Sequence, residues 1–379
     1  MNSPLSYSYI YDFKSFTSPS TGSGHCFTNF TNFINFKNPS TTLRAPLYKL
    51  YKLYKLYKHH KMKIAVLTSG GDAPGMNAAV RAVVRSALYN NMEAYAVYDG
   101  YKGLCENKIA QMKHSDVSSI LDKGGTILGT SRMPDFALEA VKQQAIDNLR
   151  NHEIDVLIAI GGDGTFKGAQ ELHEMGFPTI GIPASIDNDI DGTNFSIGFH
   201  TALKTVVENI DKIKDTSSSH QRASIVETMG RKKGDLALYA GLSTGAEFII
   251  TPENNIDKDL IIETLKKNKE EGRRNAIIVV TENTLNVHDF ANEITEKSGF
   301  TCRATVLGYV QRGGSPTPED RILAARMGEY AVKLAANKTF GVKVLIDHDE
   351  ISAKPFSHTS KRNGSENLKE LFDLVPKIS

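Results

Sequence analysis

KIAVLTSGGDAPGMN, Lys63–Asn77, decides how the rest of the chain is read. Six residues of buried-strand character run straight into Ser69, Gly70, Gly71, Asp72, Ala73, Pro74 and Gly75, and Asn77 to Tyr89 then carries a helical pattern. A strand that turns on glycine into a helix offers backbone N–H groups at the positive end of that helix, where an anion is favoured. The same grammar returns at Asp155 to Ile160, followed by Gly161, Gly162, Asp163, Gly164 and Thr165, with a helix expected from about Phe166 to Met175. Ala94–Tyr98 and Pro178–Pro183 read as further strands. Short apolar runs separated by helices predict a mostly parallel sheet, with ligands at the carboxyl ends of its strands.

Outward from this core, Leu203, Val206, Val207, Ile210 and Ile213 form one apolar helical stripe, read as core. Ala223–Thr228, Phe248–Thr251 and Ala276–Thr281 are strands of a second α/β lobe. Thr305–Val310 leads into Gln311, Arg312, Gly313, Gly314 and Ser315, where the chain is expected to return to the first lobe. A helix over 319–336 and a strand at Val342–Ile346 follow. From Ser352 onward the signals are weak.

Composition narrows the class. The chain has 379 residues and 40% hydrophobic content, enough for two lobes. Its formal charge of +2 is uneven: residues 1–60 hold six Lys and one Arg against one Asp, a net +6 that leaves about −4 for the rest. A mildly acidic body argues against a nucleic-acid partner. Cys26, Cys105 and Cys302 are too few for a disulfide scaffold or a cysteine metal site, which favours a reducing, cytoplasmic setting. No run of 18 apolar residues marks a membrane span. Residues 1–61 are rich in Ser, Thr, Asn, Phe and Tyr, with a Tyr-Lys-Leu repeat over Tyr48–Lys58. They read as a low-complexity extension, with an organellar presequence or an interaction arm as the alternatives.

Neither glycine loop is a Walker A motif, and a ligand-free strand–helix turn satisfies either pattern alone. Asp163 shifts the reading, because a carboxylate among phosphate-binding amides calls for a divalent cation. Ala184-Ser-Ile-Asp-Asn-Asp189 places two carboxylates just past a strand end. One would take a hydroxyl proton while the other supports the cation or orients the base, although a solvated Asx-turn has the same sequence. In an extended segment, Asp187 and Asp189 would point the same way. Arg132, Arg222, Arg231, Arg303 and Arg312 lie beside strand ends or glycine turns, and guanidinium groups match phosphate in paired hydrogen bonds.

Taken in order, Leu67-Thr-Ser-Gly-Gly-Asp-Ala-Pro-Gly-Met-Asn77, Ile160-Gly-Gly-Asp-Gly-Thr165, Ile186-Asp-Asn-Asp189, Thr216-Ser-Ser-Ser-His-Gln-Arg222, Met229-Gly-Arg231 and Gln311-Arg-Gly-Gly-Ser-Pro316 resemble the successive signatures of bacterial-type ATP-dependent 6-phosphofructokinases. The resemblance covers about 62–340. It implies an α/β fold of two lobes, each a mostly parallel sheet flanked by helices. Residues 62–197 would form a large ATP-binding lobe and 198–309 a smaller sugar-phosphate lobe, with 310–379 returning to the first.

The resemblance also implies roles. Gly71, Arg132, Met133, Gly162, Asp163, Gly164 and Thr165 would hold ATP, with Asp163 on Mg²⁺. Asp187 would be the base for the C1 hydroxyl of fructose 6-phosphate, needing no unusual pKa, and Asp189 its support. Arg231 would stabilise the transferring phosphoryl group. Ser185, Ile186, Asp187, Asp189, Met229, Gly230, Arg231 and Glu282 would surround the sugar. Arg222 and Arg303, supplied by a neighbouring subunit of a cytoplasmic homotetramer, would meet Tyr309 and Arg312 at the 6-phosphate. Ser185 stands where the family usually has Thr, and Tyr309 where it usually has His. Pyrophosphate-using relatives usually place Asp at the position of Gly164 and Lys at that of Ser185, so ATP is the expected donor. Arg81, Arg85, Lys214, Glu247 and Arg273 resemble an effector site. His114, Glu271 and Asn275 replace cationic donors there, so weak or altered regulation is expected.

Overall fold

The computed structural model describes residues 61–254, 257–359 and 365–378. The expectations for residues 1–60 therefore lie outside the described residues. The chain divides at Met62, where the composition also changes.

Seven strands form the first sheet: β1 (Lys63–Thr68), β2 (Glu93–Val97), β3 (Ile109–Met112), β4 (Val156–Gly161), β5 (Thr179–Pro183), β10 (Val342–Asp347) and β11 (Glu350–Pro355), in the order β11-β10-β5-β4-β1-β2-β3. The five inner strands are parallel, while β3 and β11 pair antiparallel at the edges. Helices cover both faces, which is why β4 and β5 are buried along their whole length and read as unbroken apolar runs. On one face, α1 (Met76–Tyr89) packs against α9 (Pro318–Ala336) so closely that a Cβ on Gly328 would come within 2.6 Å of the Ala82 Cβ. On the other lie α2 (Gly100–Cys105), α3 (Glu139–Asn151) and α4 (Asp163–Glu174), around Leu104, Leu149, Phe166 and Leu172.

The second sheet is wholly parallel, with β6 (Ala223–Thr228), β7 (Phe248–Ile250), β8 (Ala276–Thr281) and β9 (Cys302–Val306) in the order β7-β8-β6-β9. On one side α5 (Phe199–His220) and α6 (Asp235–Thr244) belong to an apolar cluster continuous with the first sheet. On the other, α7 (Lys258–Glu270) and α8 (Val287–Lys297) close a separate core around Phe290 and Phe300. Val206 and Ile210 of the expected stripe are buried in α5, and Leu203, Val207 and Ile213 pack against the same core.

Three readings need correction. α4 begins at Asp163 rather than Phe166, because Gly162 is its N-cap and its carbonyl accepts from both Thr165 N and Phe166 N. The end of the second glycine loop is thus the first turn of a helix. β9 stops at Val306, and Gly308–Arg312 forms a 3₁₀ turn instead of extended chain. Beyond Ser352, β11 continues to Pro355 and α10 (Ser365–Ile378) packs Leu371 and Phe372 on the core.

Candidate active site

The two glycine loops lie side by side because β1 and β4 are hydrogen-bonded neighbours. Ser69 N donates to Ile160 O at 3.0 Å, and the Thr165 hydroxyl donates back to Ser69 O at 3.0 Å. That makes Thr165 a buried clamp beneath the cradle, with its hydroxyl proton committed. A Cβ on Gly162 or Gly164 would meet nothing within 4 Å, so both face open space. A Cβ on Gly71 would touch the Arg312 guanidinium at 3.5 Å. Arg312 therefore reaches the first loop, with the Tyr309 ring 5.3 Å from its guanidinium carbon. Arg132 is exposed and Met133 half-buried, on a segment tied to the same loop by the 2.8 Å bond from the Thr130 hydroxyl to Gly70 O.

Asp163 sits in the first turn of α4, where the helix's positive end favours a carboxylate. Burial nevertheless raises its pKa, and the charges of Asp189 and Asp191 raise it further, against Lys343 and Arg231. Lys343 escaped the sequence reading. It is only 4% exposed, donates to Asp191 O at 3.1 Å, and burial lowers its pKa. A lysine amid the apolar residues of β10 was the available signal.

The catalytic turn follows β5. Asp187 N donates to the Ser185 hydroxyl at 3.3 Å, which donates in turn to Asp189 Oδ1 at 3.0 Å. The two carboxylates are brought together by this curl, not by strand alternation, because Asn188 between them is left-handed at φ 55°. The expectation of an extended segment is thus replaced. Ile186 is buried in the core. Asp187 Oδ1 is buried and has no hydrogen-bond partner. Its pKa is pushed up to about 6, chiefly by burial and then by Asp189 and Glu282, while Arg312 and Arg231 oppose the rise. The role was expected to need no unusual pKa; burial supplies one here.

Across from this turn stand Met229, Gly230 and Arg231, at the carboxyl end of β6. Arg231 Nη1 is 3.7 Å from Asp189 Oδ2, and Arg231 N donates to Glu282 Oε1 at 3.0 Å. Gly230 has φ 147°, and a Cβ there would lie 2.5 Å from Lys233 O, so the turn requires glycine. Met229 N is held by the side chain of the fully buried Gln311 at 3.1 Å, a positioning role the sequence left unassigned. Arg231 and Glu282 line a pocket of about 410 Å³ with Lys232, Thr251, Pro252, Asn283 and Thr284.

Arg222 and Arg303 are not brought to this site. Arg222 immediately precedes β6, and Arg303 on β9 pairs with Ser224 near the amino end. Arg231 lies past the carboxyl end of β6, so roughly 20 Å of strand separates the two sets. Of the residues expected at an effector site, Arg81 and Arg85 are one turn apart on α1, each with a buried Nε lacking a partner. Burial and then Arg85 lower the Arg81 pKa. Glu247 accepts from Ile277 N at 2.6 Å; burial raises its pKa, while Lys214 and Arg273 pull it down. Lys214 donates to Thr244 O at 2.8 Å.

The phosphofructokinase family model matches residues 63–335. An ATP-dependent 6-phosphofructokinase of Vibrio campbellii is 52% identical over 297 residues, covering 77% of this chain and 93% of its own. One from Photobacterium profundum is 50% identical, covering 83% of this chain and 99% of its own. The solved phosphofructokinase of Saccharomyces cerevisiae superimposes with a TM-score of 0.74 at 36% identity over 84% of this chain, which spans 47% of the yeast chain's length. The chain belongs to the phosphofructokinase family.

Proposed function

We propose that the chain is an ATP-dependent 6-phosphofructokinase in which Asp187 takes the proton of the sugar's C1 hydroxyl. That oxygen bonds to the γ-phosphorus of ATP as the bond to the ADP oxygen breaks, giving fructose 1,6-bisphosphate and ADP. The observation that carries this reading is Asp187 itself: a half-buried carboxylate whose Oδ1 is shut off from water without a hydrogen-bond partner, within reach of the charges of Asp189, Arg312 and Arg231. A proton acceptor with a raised pKa and no competing donor is suited to general-base work. Arg231 supports charge on the moving phosphoryl group, and Glu282 holds the Arg231 loop in place.

The acid cluster fits Mg²⁺. Asp189 and Asp191 set like charges against Asp163, which a cation would offset. Among the described residues no three acidic, His or Cys side chains are placed to hold a metal together; Asp163 would be the ion's protein ligand beside the nucleotide phosphates. When bound, it neutralises phosphate charge. Gly162, Gly164 and Gly71 leave the backbone open to those phosphates, with Arg132 and Met133 flanking. Gly164 leaves room for the nucleoside-bearing phosphate, which favours ATP over pyrophosphate.

Ser185, Asp189, Met229, Gly230, Arg231 and Glu282 face the sugar in this reading, with Arg312 and Tyr309 toward its phosphate. Arg222 and Arg303 serve the site of a neighbouring copy. Supporting this, β9 is an edge strand, and Val306 and Val310 are exposed beside it. A homotetramer in the cytoplasm is the assembly and setting we propose. No described helix is long and apolar enough to cross a membrane. The test is a coupled assay of the purified protein, offering ATP and pyrophosphate separately against fructose 6-phosphate, tagatose 6-phosphate and sedoheptulose 7-phosphate. Turnover with ATP and fructose 6-phosphate is expected to dominate; equal rates with pyrophosphate would overturn the donor assignment.

A further inference from the structure

Asn188 lies between the two catalytic-turn carboxylates, yet it does not face the substrate side. It is 2% exposed, and its side chain is saturated with hydrogen bonds. Oδ1 accepts from Ser196 N at 2.9 Å and from the Ser196 hydroxyl at 3.2 Å, and that hydroxyl also donates to Ser185 O at 2.6 Å. Nδ2 donates to Asn194 O at 3.1 Å and to Asp235 Oδ2 at 3.0 Å. Asp235 is 1% exposed and is the first residue of α6.

The last of these bonds crosses between the two halves of the site. Asn188 belongs to the turn after β5, in the first sheet, and carries Asp187 and Asp189 on either side. Asp235 belongs to the second sheet's layer and follows Arg231 by one short loop. That loop has little freedom. Lys233 N donates to Gly230 O at 2.9 Å, Gly234 N donates to Glu253 Oε1 at 3.1 Å, and a Cβ on Gly234 would lie 2.3 Å from the Thr251 Cβ. A displacement of Asp235 is therefore transmitted to Arg231, and a displacement of Asn188 to Asp187. Arg231 and Asn188 both hold left-handed backbone, at φ 59° and 55°. Such conformations persist in non-glycine residues only where surrounding contacts impose them. Surface charge attraction between Arg231 and Asp189 at 3.7 Å is too loose to set this geometry by itself.

We propose that Asn188, bonded to Asp235, is the positioning residue that sets the proton acceptor and the Arg231 loop in fixed relation across the two sheets. The proposal rests on the reading of Asp187 as base and Arg231 as phosphoryl stabiliser. Neither Asn188 nor Asp235 touches substrate in this account; they act through their neighbours.

Asn188→Gly is the sharpest test, since glycine adopts the left-handed backbone freely while losing all the side-chain bonds. Per folded site, kcat is expected to fall by about 10–100-fold, the scale of a small misplacement of reacting groups. KM for both substrates and the ADP binding isotherm should stay within about threefold of the parent, which separates alignment from binding. Asp235→Ala should reproduce the kcat loss, and Asp235→Asn, which keeps an oxygen to accept from Asn188, should recover most of it. A purely structural role would instead lower the melting temperature and the folded fraction, leaving kcat per folded site as in the parent; that result overturns the proposal. If Asn188→Gly fails to fold, the Asp235→Ala and Asp235→Asn pair decides alone, equal kcat in both being the overturning result. Asp187→Asn runs beside them. Should it retain parental turnover, the base assignment itself fails; should it be inactive while Asn188→Gly is normal, only the positioning role fails.

Discussion

The two sheets present anion-holding groups of opposite kinds. At the carboxyl ends of β1, β4 and β5 the first sheet offers glycines and crowded carboxylates, Asp163, Asp187 and Asp189, the last of which raises the pKa of the other two. The second offers long cationic side chains and spreads them over both of its ends, Arg231 at one and Arg222 and Arg303 at the other. An acidic cradle accepts a polyphosphate only with a cation, whereas guanidinium groups take a bare phosphate directly. In the function we propose, the first sheet's site would be complete in one chain and the second's would not. Substitutions in the first should strike chemistry and donor choice, and those in the second should strike affinity and depend on the neighbour.

The hardest blow to that comparison is Asp187→Asn. Deleting the base while preserving its size should lower kcat by roughly 10²–10⁴-fold. Fructose 6-phosphate binding should persist, since arginines carry that affinity, and Asp189→Asn should cost less. Turnover within about threefold of the parent in Asp187→Asn, with Asp189→Asn dead, would reverse the roles of the two acids. Next in size is Gly164→Asp. An Asp in the first turn of α4 suits the helix dipole, so the melting temperature should hold. A carboxylate aimed into the phosphate cradle should nonetheless cut kcat/KM for ATP by about a hundredfold or more, like charges in contact costing several kcal/mol. Unchanged ATP use would show that Gly164 faces away from the phosphates.

Arg303→Ala probes the other sheet. Losing one charged hydrogen bond should raise KM for fructose 6-phosphate by roughly 10–100-fold, with kcat less affected. Mixing this variant with Asp187→Asn is the sharper experiment. If a site combines Asp187 of one copy with Arg303 of another, hybrids contain some sites free of both defects, and activity at low substrate rises above that of either parent. Simple averaging would confine the site to one chain and erase the contrast between the sheets.

Much of the first sheet was legible because its chemistry is written in local order. A strand, a glycine turn and a helix are consecutive in sequence, so both strand–loop–helix units were found, although the second loop yields to helix three residues early. The second sheet's strands were legible as well, but which end each arginine occupies depends on register, and register appears only when β9 is paired with β6. β11 was missed because its half-exposed residues give no apolar signal before pairing with β10. The two catalytic-turn acids were found for an incomplete reason. Sequence spacing suggested alternation, while the structure curls the segment around the Ser185 hydroxyl. Lys343, Gln311 and Asp235 went unassigned because they act across 152, 82 and 47 residues of chain, at contacts no local pattern encodes.

The smallest effect is the most diagnostic of how the acidic cradle works. Asp187 is raised from 3.8 to about 6, with burial the main cause and Asp189 the largest charge acting on it. A base must be ionised to accept a proton, so kcat/KM for fructose 6-phosphate should fall as pH drops through about 6. The stability linkage has the opposite sense. Because the folded state favours the neutral acid, this group's contribution to stability is fully present below 3.8 and is lost as pH rises through about 6. The same carboxylate thus becomes active over the range in which it ceases to stabilise the fold. Asp189→Asn removes the like charge while leaving the burial, so the acid limb should move to lower pH without vanishing. The profile of kcat/KM against pH, measured on parent and variant at constant ionic strength, decides it. An acid limb that stays in place would mean that burial alone sets the Asp187 pKa and that the two carboxylates do not share a site. A limb displaced by Arg231→Ala in the opposite direction would complete the argument, since Arg231 pulls that pKa down and belongs to the other sheet.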